Sequence, residues 1–213
     1  MFCVVRPANL LSAGKSILLA LSFTAALLGY DSGASAASSP FMPTGSVTSQ
    51  PIGHYEFCKR RPDECSIHPS DLRPLAINKK LWDEIVAVNT SVNEWVKPVS
   101  DLDHYGVVQY WNYPDDGMGN CEHYALEKRR ELMEKGISLA DLLITVVRLP
   151  DGEGHAVVTV RTDRGDFILD NLTDQVKNWT QTPYHYLKRQ ATDDTGLWVD
   201  IIQKPTVVAA VAN

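Results

Sequence analysis

The feature that most constrains this chain is a change of hydrophobic period part-way along it. From Asn78 to Val96 the apolar residues Ile77, Leu81, Ile85, Val88, Val92 and Trp95 recur at three- and four-residue steps, and Pro98 follows. That spacing predicts an amphipathic helix, with Trp82 and Trp95 as packing residues. A second helix is predicted from about Cys121 to Lys135. Pro114, Gly117 and Gly119 break the chain before it, Asn120 is its expected N-cap, and Gly136 closes it. Its Glu127, Lys128, Arg129, Arg130, Glu131 and Lys135 read as a solvated face. Beyond Ala140 the pattern turns to strands: 144–149 (ITVVRL), 154–162 (GHAVVTVRT), 167–172 (FILDNL) and 197–202 (LWVDII). Asp163-Arg164-Gly165-Asp166 joins the middle two as a hairpin. Helices first and an antiparallel sheet second make an α+β fold. There is no internal repeat.

The N-terminus reads as an address. Arg6 and Lys15 precede an uncharged run over 17–28, about 12 residues against the roughly 20 that span a bilayer. Ala34-Ser35-Ala36 fits the small-x-small rule for cleavage after Ala36. The expected organisation is therefore a signal peptide over 1–36, a flexible Ser/Pro/Gly/Thr leader over 37–53, a folded domain over 54–205 and a disordered tail over 206–213. The mature chain is expected to be exported, periplasmic or secreted, and not to span a membrane. The formal charge of −6 argues against nucleic acid as a partner, since phosphate contacts need a basic surface.

Of the four cysteines, Cys3 falls in the signal segment, leaving Cys58, Cys65 and Cys121 in an oxidising compartment. Cys58 and Cys65 bracket a short polar stretch containing Pro62. A local disulfide is the expectation there, a metal pair the alternative, and no second Cys or His pair stands at ligand spacing.

Cys121 stands apart, in Gly117-Met118-Gly119-Asn120-Cys121-Glu122-His123 at a predicted helix start. A helix N-terminus favours thiolate over thiol, and upstream glycines let a substrate backbone approach. The plainer reading, a buried structural cysteine, is the commoner fate of the residue type. A nucleophilic cysteine needs a base, and the base an orienting group. His155 opens a predicted strand and Asp170 ends the next. With Asp163 and Asp166 closing the hairpin, Asp170 opposes Thr159 and shares a face with His155, but lies about four positions from it, roughly 13 Å along a straight strand. His123 is two residues from Cys121 on one helix and points elsewhere. His54, His68, His104 and His185 read as surface or packing residues, and Asp115 and Asp116 as turn residues. Gln109 is a weak candidate for a further oxyanion donor. No phosphate loop, zinc-protease helix or EF-hand pattern occurs.

Gly-Asn-Cys-Glu-His-Tyr-Ala over 119–125, Gly154-His155-Ala156-Val157-Val158 and Phe167-Ile168-Leu169-Asp170-Asn171 together resemble the bacterial transglutaminase-like cysteine proteinases. The similarity runs from about Phe57 to Ile202. It implies a papain/transglutaminase-type fold, a nucleophile-bearing helix packed on an antiparallel sheet. It also implies Cys121 as nucleophile, His155 as general base and acid, Asp170 as the group orienting the imidazole, and a periplasmic location. The substrate class it implies is a protein, at the cell surface or in the periplasm, and the best-known branch adds calcium dependence, adhesin cleavage and an inner-membrane regulator. Here Glu122 matches that branch, but Asn120 and His123 stand where it carries Asp, and an amide and an imidazole are poorer partners for a hard cation. The expectation is therefore that no cofactor is required, with calcium as the less favoured alternative. Acyl transfer to an amine, and a non-catalytic binding module of the same fold, are the alternatives.

Overall fold

The computed structural model describes residues 39–203; the expected signal segment over 1–36, Cys3 and the expected tail over 206–213 lie outside them. In chain order it contains strand β1 (Thr44–Thr48), helix α1 (Ile52–Arg60), α2 (Lys79–Trp95), a two-residue β2 (Lys97–Pro98), α3 (Asp101–Tyr105), a two-residue β3 (Met118–Gly119) and α4 (Cys121–Glu134). Strands β4 (Leu142–Arg148), β5 (Gly154–Thr162), β6 (Gly165–Asp170), β7 (Thr173–Asn178), β8 (His185–Gln190) and β9 (Trp198–Ile201) follow. Seven strands form one antiparallel sheet in the order β1-β9-β8-β4-β5-β6-β7. Helices between β1 and the six later strands of the sheet give the expected α+β architecture. Among the described residues no helix is long and apolar enough to cross a membrane.

The sheet carries apolar side chains on both faces. On one, α4 packs over β4, β5 and β6, with α2 beside it. Ile85, Val88 and Val92 of α2 meet Leu126 and Leu132 of α4 above Ile144, Val158 and Leu169. On the other, Val147, Val157, Ile168, Tyr186 and Ile201 of the sheet pack with Met42 and Trp179. Strands buried on both faces read as near-continuous apolar runs, which is why β4 and β5 were legible. Asn78 caps α2 by accepting from Leu81 N–H at 3.0 Å.

Three expectations need correction. The segment read as a flexible leader is built into the sheet: β1 pairs with β9, Met42 N–H donates to Asp166 Oδ2 at 2.8 Å, and Trp179 Nε1–H donates to Ser39 O at 3.1 Å. Most of β1 is exposed, so its pairing rests on backbone hydrogen bonds and leaves no apolar alternation to read. The charged stretch of α4 is not a uniformly solvated face, because Glu127, Lys128 and Arg129 are buried. Arg129 Nε–H donates to Leu142 O at 3.2 Å, and Glu127 pairs with Arg130 at 2.6 Å. A helix covered by the sheet on one side and by α2 and the Cys58–Cys65 segment on others has few directions left for solvent. Lastly, the hairpin closes at Thr162 and Gly165, not at Asp163 and Asp166. Gly165, at φ 131, takes a backbone conformation that only glycine adopts readily, and Thr162 Oγ1–H donates to its carbonyl at 2.7 Å.

Candidate active site

The corrected register brings the hairpin residues together. Leu169 lies opposite Val158, so Asp170 continues opposite 157, two positions from His155 instead of four. His155 Nε2 lies 2.8 Å from Asp170 Oδ1, with both side chains buried. A carboxylate only accepts, so Nε2 carries the proton and Nδ1 is the ring's other working nitrogen.

Asp170 is held from every side. Its N–H donates to Asn89 Oδ1 at 3.1 Å and its carbonyl accepts from Asn93 Nδ2 at 2.9 Å. Asn89 and Asn93 stand four apart on α2 and so share a face. Oδ1 also accepts from Leu172 N–H at 3.0 Å, and Oδ2 accepts from the Tyr184 hydroxyl. Burial alone pushes the Asp170 carboxyl up; the hydrogen bonds from His155 and Tyr184 outweigh it and hold it below the usual carboxylate range. Tyr184 also sets its ring edge against the imidazole, centroids 5.9 Å apart.

Cys121 is the first residue of α4 and is buried. Pairing of β2 with β3 ties the residues before it to the end of α2: Lys97 N–H donates to Gly117 O at 2.8 Å and Val99 N–H to Gly119 O at 3.0 Å. Gly119 has to be small, since a Cβ there would sit 2.4 Å from His123 Cβ. Ala156 N–H donates to Cys121 Sγ at 3.2 Å, which puts the sulfur against the residue next to His155. Glu122 Oε2 lies 3.2 Å from the same sulfur. Burial, then the charge of Asp101, pushes the Glu122 carboxyl up to about 8.

Asp101, at the start of α3, joins this cluster. Its Oδ2 accepts from Tyr110 N–H at 2.7 Å and its Oδ1 from Asn120 Nδ2 at 3.0 Å, which turns Asn120 Oδ1 to within 2.7 Å of His123 Nδ1. His123 thus serves the helix start rather than the thiol. Among the remaining histidines, His104 pairs with Asp116 at 2.7 Å, His68 and His185 are exposed, and His54 is buried.

Cys58 and Cys65 form a disulfide. His54 Nδ1 accepts from Trp198 Nε1–H at 3.1 Å, so Nε2 carries the ring proton and faces both sulfurs at 3.9 Å. Burial, then the charge of Arg129, pushes His54 down to about 3 and keeps it neutral. Its one lone-pair nitrogen is already engaged, so His54, Cys58 and Cys65 are a packed disulfide site and not a metal trio.

The family model of the bacterial transglutaminase-like cysteine proteinases matches residues 44–206. The chain belongs to that family. It is a transglutaminase-like cysteine peptidase, and the family match starts at β1, the strand the sequence reading took for leader. The calcium-bound structure of Legionella pneumophila LapG is 21% identical, with 65% of this chain and 78% of that chain covered at a TM-score of 0.50, a likeness of fold. A second LapG structure is 22% identical over 71% of this chain and 81% of that chain, at a TM-score of 0.48. An EGTA-treated one is 22% identical over 71% and 79%, at 0.49. No curated protein sequence matches.

Sequence reasoning singled out Cys121, His155 and Asp170, and passed over Asn89, Asn93, Asp101 and Tyr184. The asparagines had a signal: two amides at helical spacing on a face otherwise formed by Ile85, Val88 and Val92. Tyr184 had none, because the loop before β8 carries no pattern that fixes where its side chain goes.

Proposed function

We propose that the peptidase acts through Cys121, His155 and Asp170 on an amide bond of a protein substrate after export. The observation that supports this most is the pairing of two contacts on adjacent residues: Ala156 N–H on Cys121 Sγ, and His155 Nε2 on Asp170. With Nε2 committed to Asp170, Nδ1 is the nitrogen that takes the thiol proton. The Cys121 thiolate, favoured by the helix start and by Ala156 N–H, attacks the carbonyl carbon. The oxyanion forms beside the amides opening α4, including that of Cys121. As the C–N bond breaks, Nδ1–H protonates the leaving amine and a thioester remains. Water attacks the thioester, Nδ1 takes its proton, and the carboxylate leaves with Cys121 restored.

The signal segment argues for a periplasmic or secreted enzyme, and the family resemblance for an inner-membrane regulator. Calcium is the property of a neighbour, and the residues here do not fit it as a resident ion. Asp101 spends its oxygens on the Tyr110 and Asn120 N–H groups, Asn120 Oδ1 is turned to His123, and Glu122 holds a proton to about 8. Calcium is held best by ionised carboxylates, which neutral carbonyl oxygens and water only supplement. EGTA is therefore expected to leave the rate and melting temperature unchanged, while the double variant Asn120→Asp/His123→Asp acquires a calcium-dependent rise in melting temperature. A fall in the parent's melting temperature with EGTA would contradict this.

Cys121→Ala tests the assignment. In reduced protein it should remove both amide hydrolysis and labelling by an active-site-directed electrophile, without loss of fold. Labelling that persists sinks it. Acyl transfer uses the same residues, and incorporation of an amine probe into a glutamine donor, without chain cleavage, would favour it.

A further inference from the structure

We propose that Tyr184 is a positioning residue for the catalytic pair, acting through Asp170; this rests on the triad assigned above. Three contacts converge. The Tyr184 hydroxyl donates to Asp170 Oδ2, the oxygen His155 does not use. The Tyr184 ring stands edge-on to the imidazole. Asp170 Oδ1 is shared by His155 Nε2 and Leu172 N–H, so Oδ2 depends on Tyr184 for its partner.

Two consequences follow from elementary electrostatics. Anchoring both oxygens fixes the carboxylate plane, and with it the direction in which Oδ1 meets Nε2. Donation to Oδ2 also withdraws charge from the carboxylate, making Asp170 a weaker stabiliser of the imidazolium. The groups facing Asp170 are His155 from β5, Tyr184 from the loop before β8, Asn89 and Asn93 from α2, and Lys128 from α4, on which the charges of Asp170 and Asp174 act. Of these, Tyr184 alone combines a donor to the Asp170 side chain with a ring against His155. Tyr184 thus sets how strongly the carboxylate holds the imidazolium, as well as its aim.

The experiment compares the full mature enzyme with Tyr184→Phe, which keeps the ring and removes the hydroxyl. The proposal expects kcat to fall about tenfold with KM little changed, the size of one lost charge-assisted hydrogen bond. It also expects the basic limb of the kcat/KM profile to move to higher pH, because the unquenched carboxylate holds the imidazolium proton longer. Replacing Tyr184 by difluorotyrosine, a stronger donor, should move that limb to lower pH, a sign reversal that simple loss of packing cannot give. Basic limbs that coincide in parent, Tyr184→Phe and difluorotyrosine enzymes overturn the proposal. The triad fails separately, if Cys121→Ala retains hydrolysis.

Discussion

At the scale of single residues, what distinguishes this protein is how many ionisable side chains are buried near one another. Lys128 is the extreme case: on α4, buried, its Nζ without a hydrogen-bond partner among the described residues and 5.9 Å from the Tyr124 ring centroid. Burial pushes it down to about 7, with the charges of Asp170 and Asp174 pulling the other way. Between about 7 and the ordinary 10.5 the unfolded chain holds a proton that the folded chain has shed, so this group makes stability rise with pH across that window. Lys128→Met should raise the melting temperature at pH 6 and lose that advantage towards pH 11. An equal effect at both values would show that the ammonium is not the strained species. Asp170 runs the other way. Its folded value is depressed, so its contribution is present above the ordinary carboxylate range and is lost as pH falls through the folded value. Asp170→Asn should cut kcat by two orders of magnitude or more, because an amide can hold the imidazole with the wrong tautomer. A fall of less than tenfold would remove Asp170 from the site.

At the scale of elements, the disulfide and α1 brace an aromatic cluster of His54, Phe57, Trp111 and Trp198. Gly53 lets the Trp111 indole lie against the helix, where a Cβ would come within 2.3 Å, and Arg60 donates to Trp111 O at 2.7 Å. Chain-entropy reasoning gives the Cys58–Cys65 link about 2–3 kcal/mol. The Cys58→Ser/Cys65→Ser variant should lose about that much in denaturant melts, and an unchanged midpoint would show that the segment holds without it. Elements were legible where the sequence carried a period. Residues 79–95 and 154–162 repeat at helical spacing or run apolar, and both ends of each were within reach. β7 and β8 were missed because Thr173–Asn178 is mostly polar and half-exposed at the sheet edge, and His185–Gln190 mixes charge with Tyr and Leu. The hairpin register failed by one residue on each strand, since the turn chemistry of Asp-Arg-Gly-Asp admits two closures and only the φ of Gly165 decides between them.

At the scale of the whole molecule, the site lies where three units meet: the start of α4, the strand ends of the β5–β6 hairpin, and the two asparagines on the buried face of α2. No local window contains that meeting. The ordered cysteine, histidine and aspartate blocks were readable because each keeps its neighbours in sequence. The residues that hold Asp170, at 89, 93 and 184, come from stretches far apart in the chain, and only the folded sheet makes them adjacent. The central claim is that Cys121 reacts as a thiolate paired with His155. The most direct measurement is the rate of Cys121 alkylation against pH in the reduced protein, followed by mass spectrometry, with and without His155→Ala. Rapid alkylation should persist well below the ordinary thiol range near 8.5, and shift back towards that range in the variant. Coincident profiles, both rising only near 8.5, would contradict it.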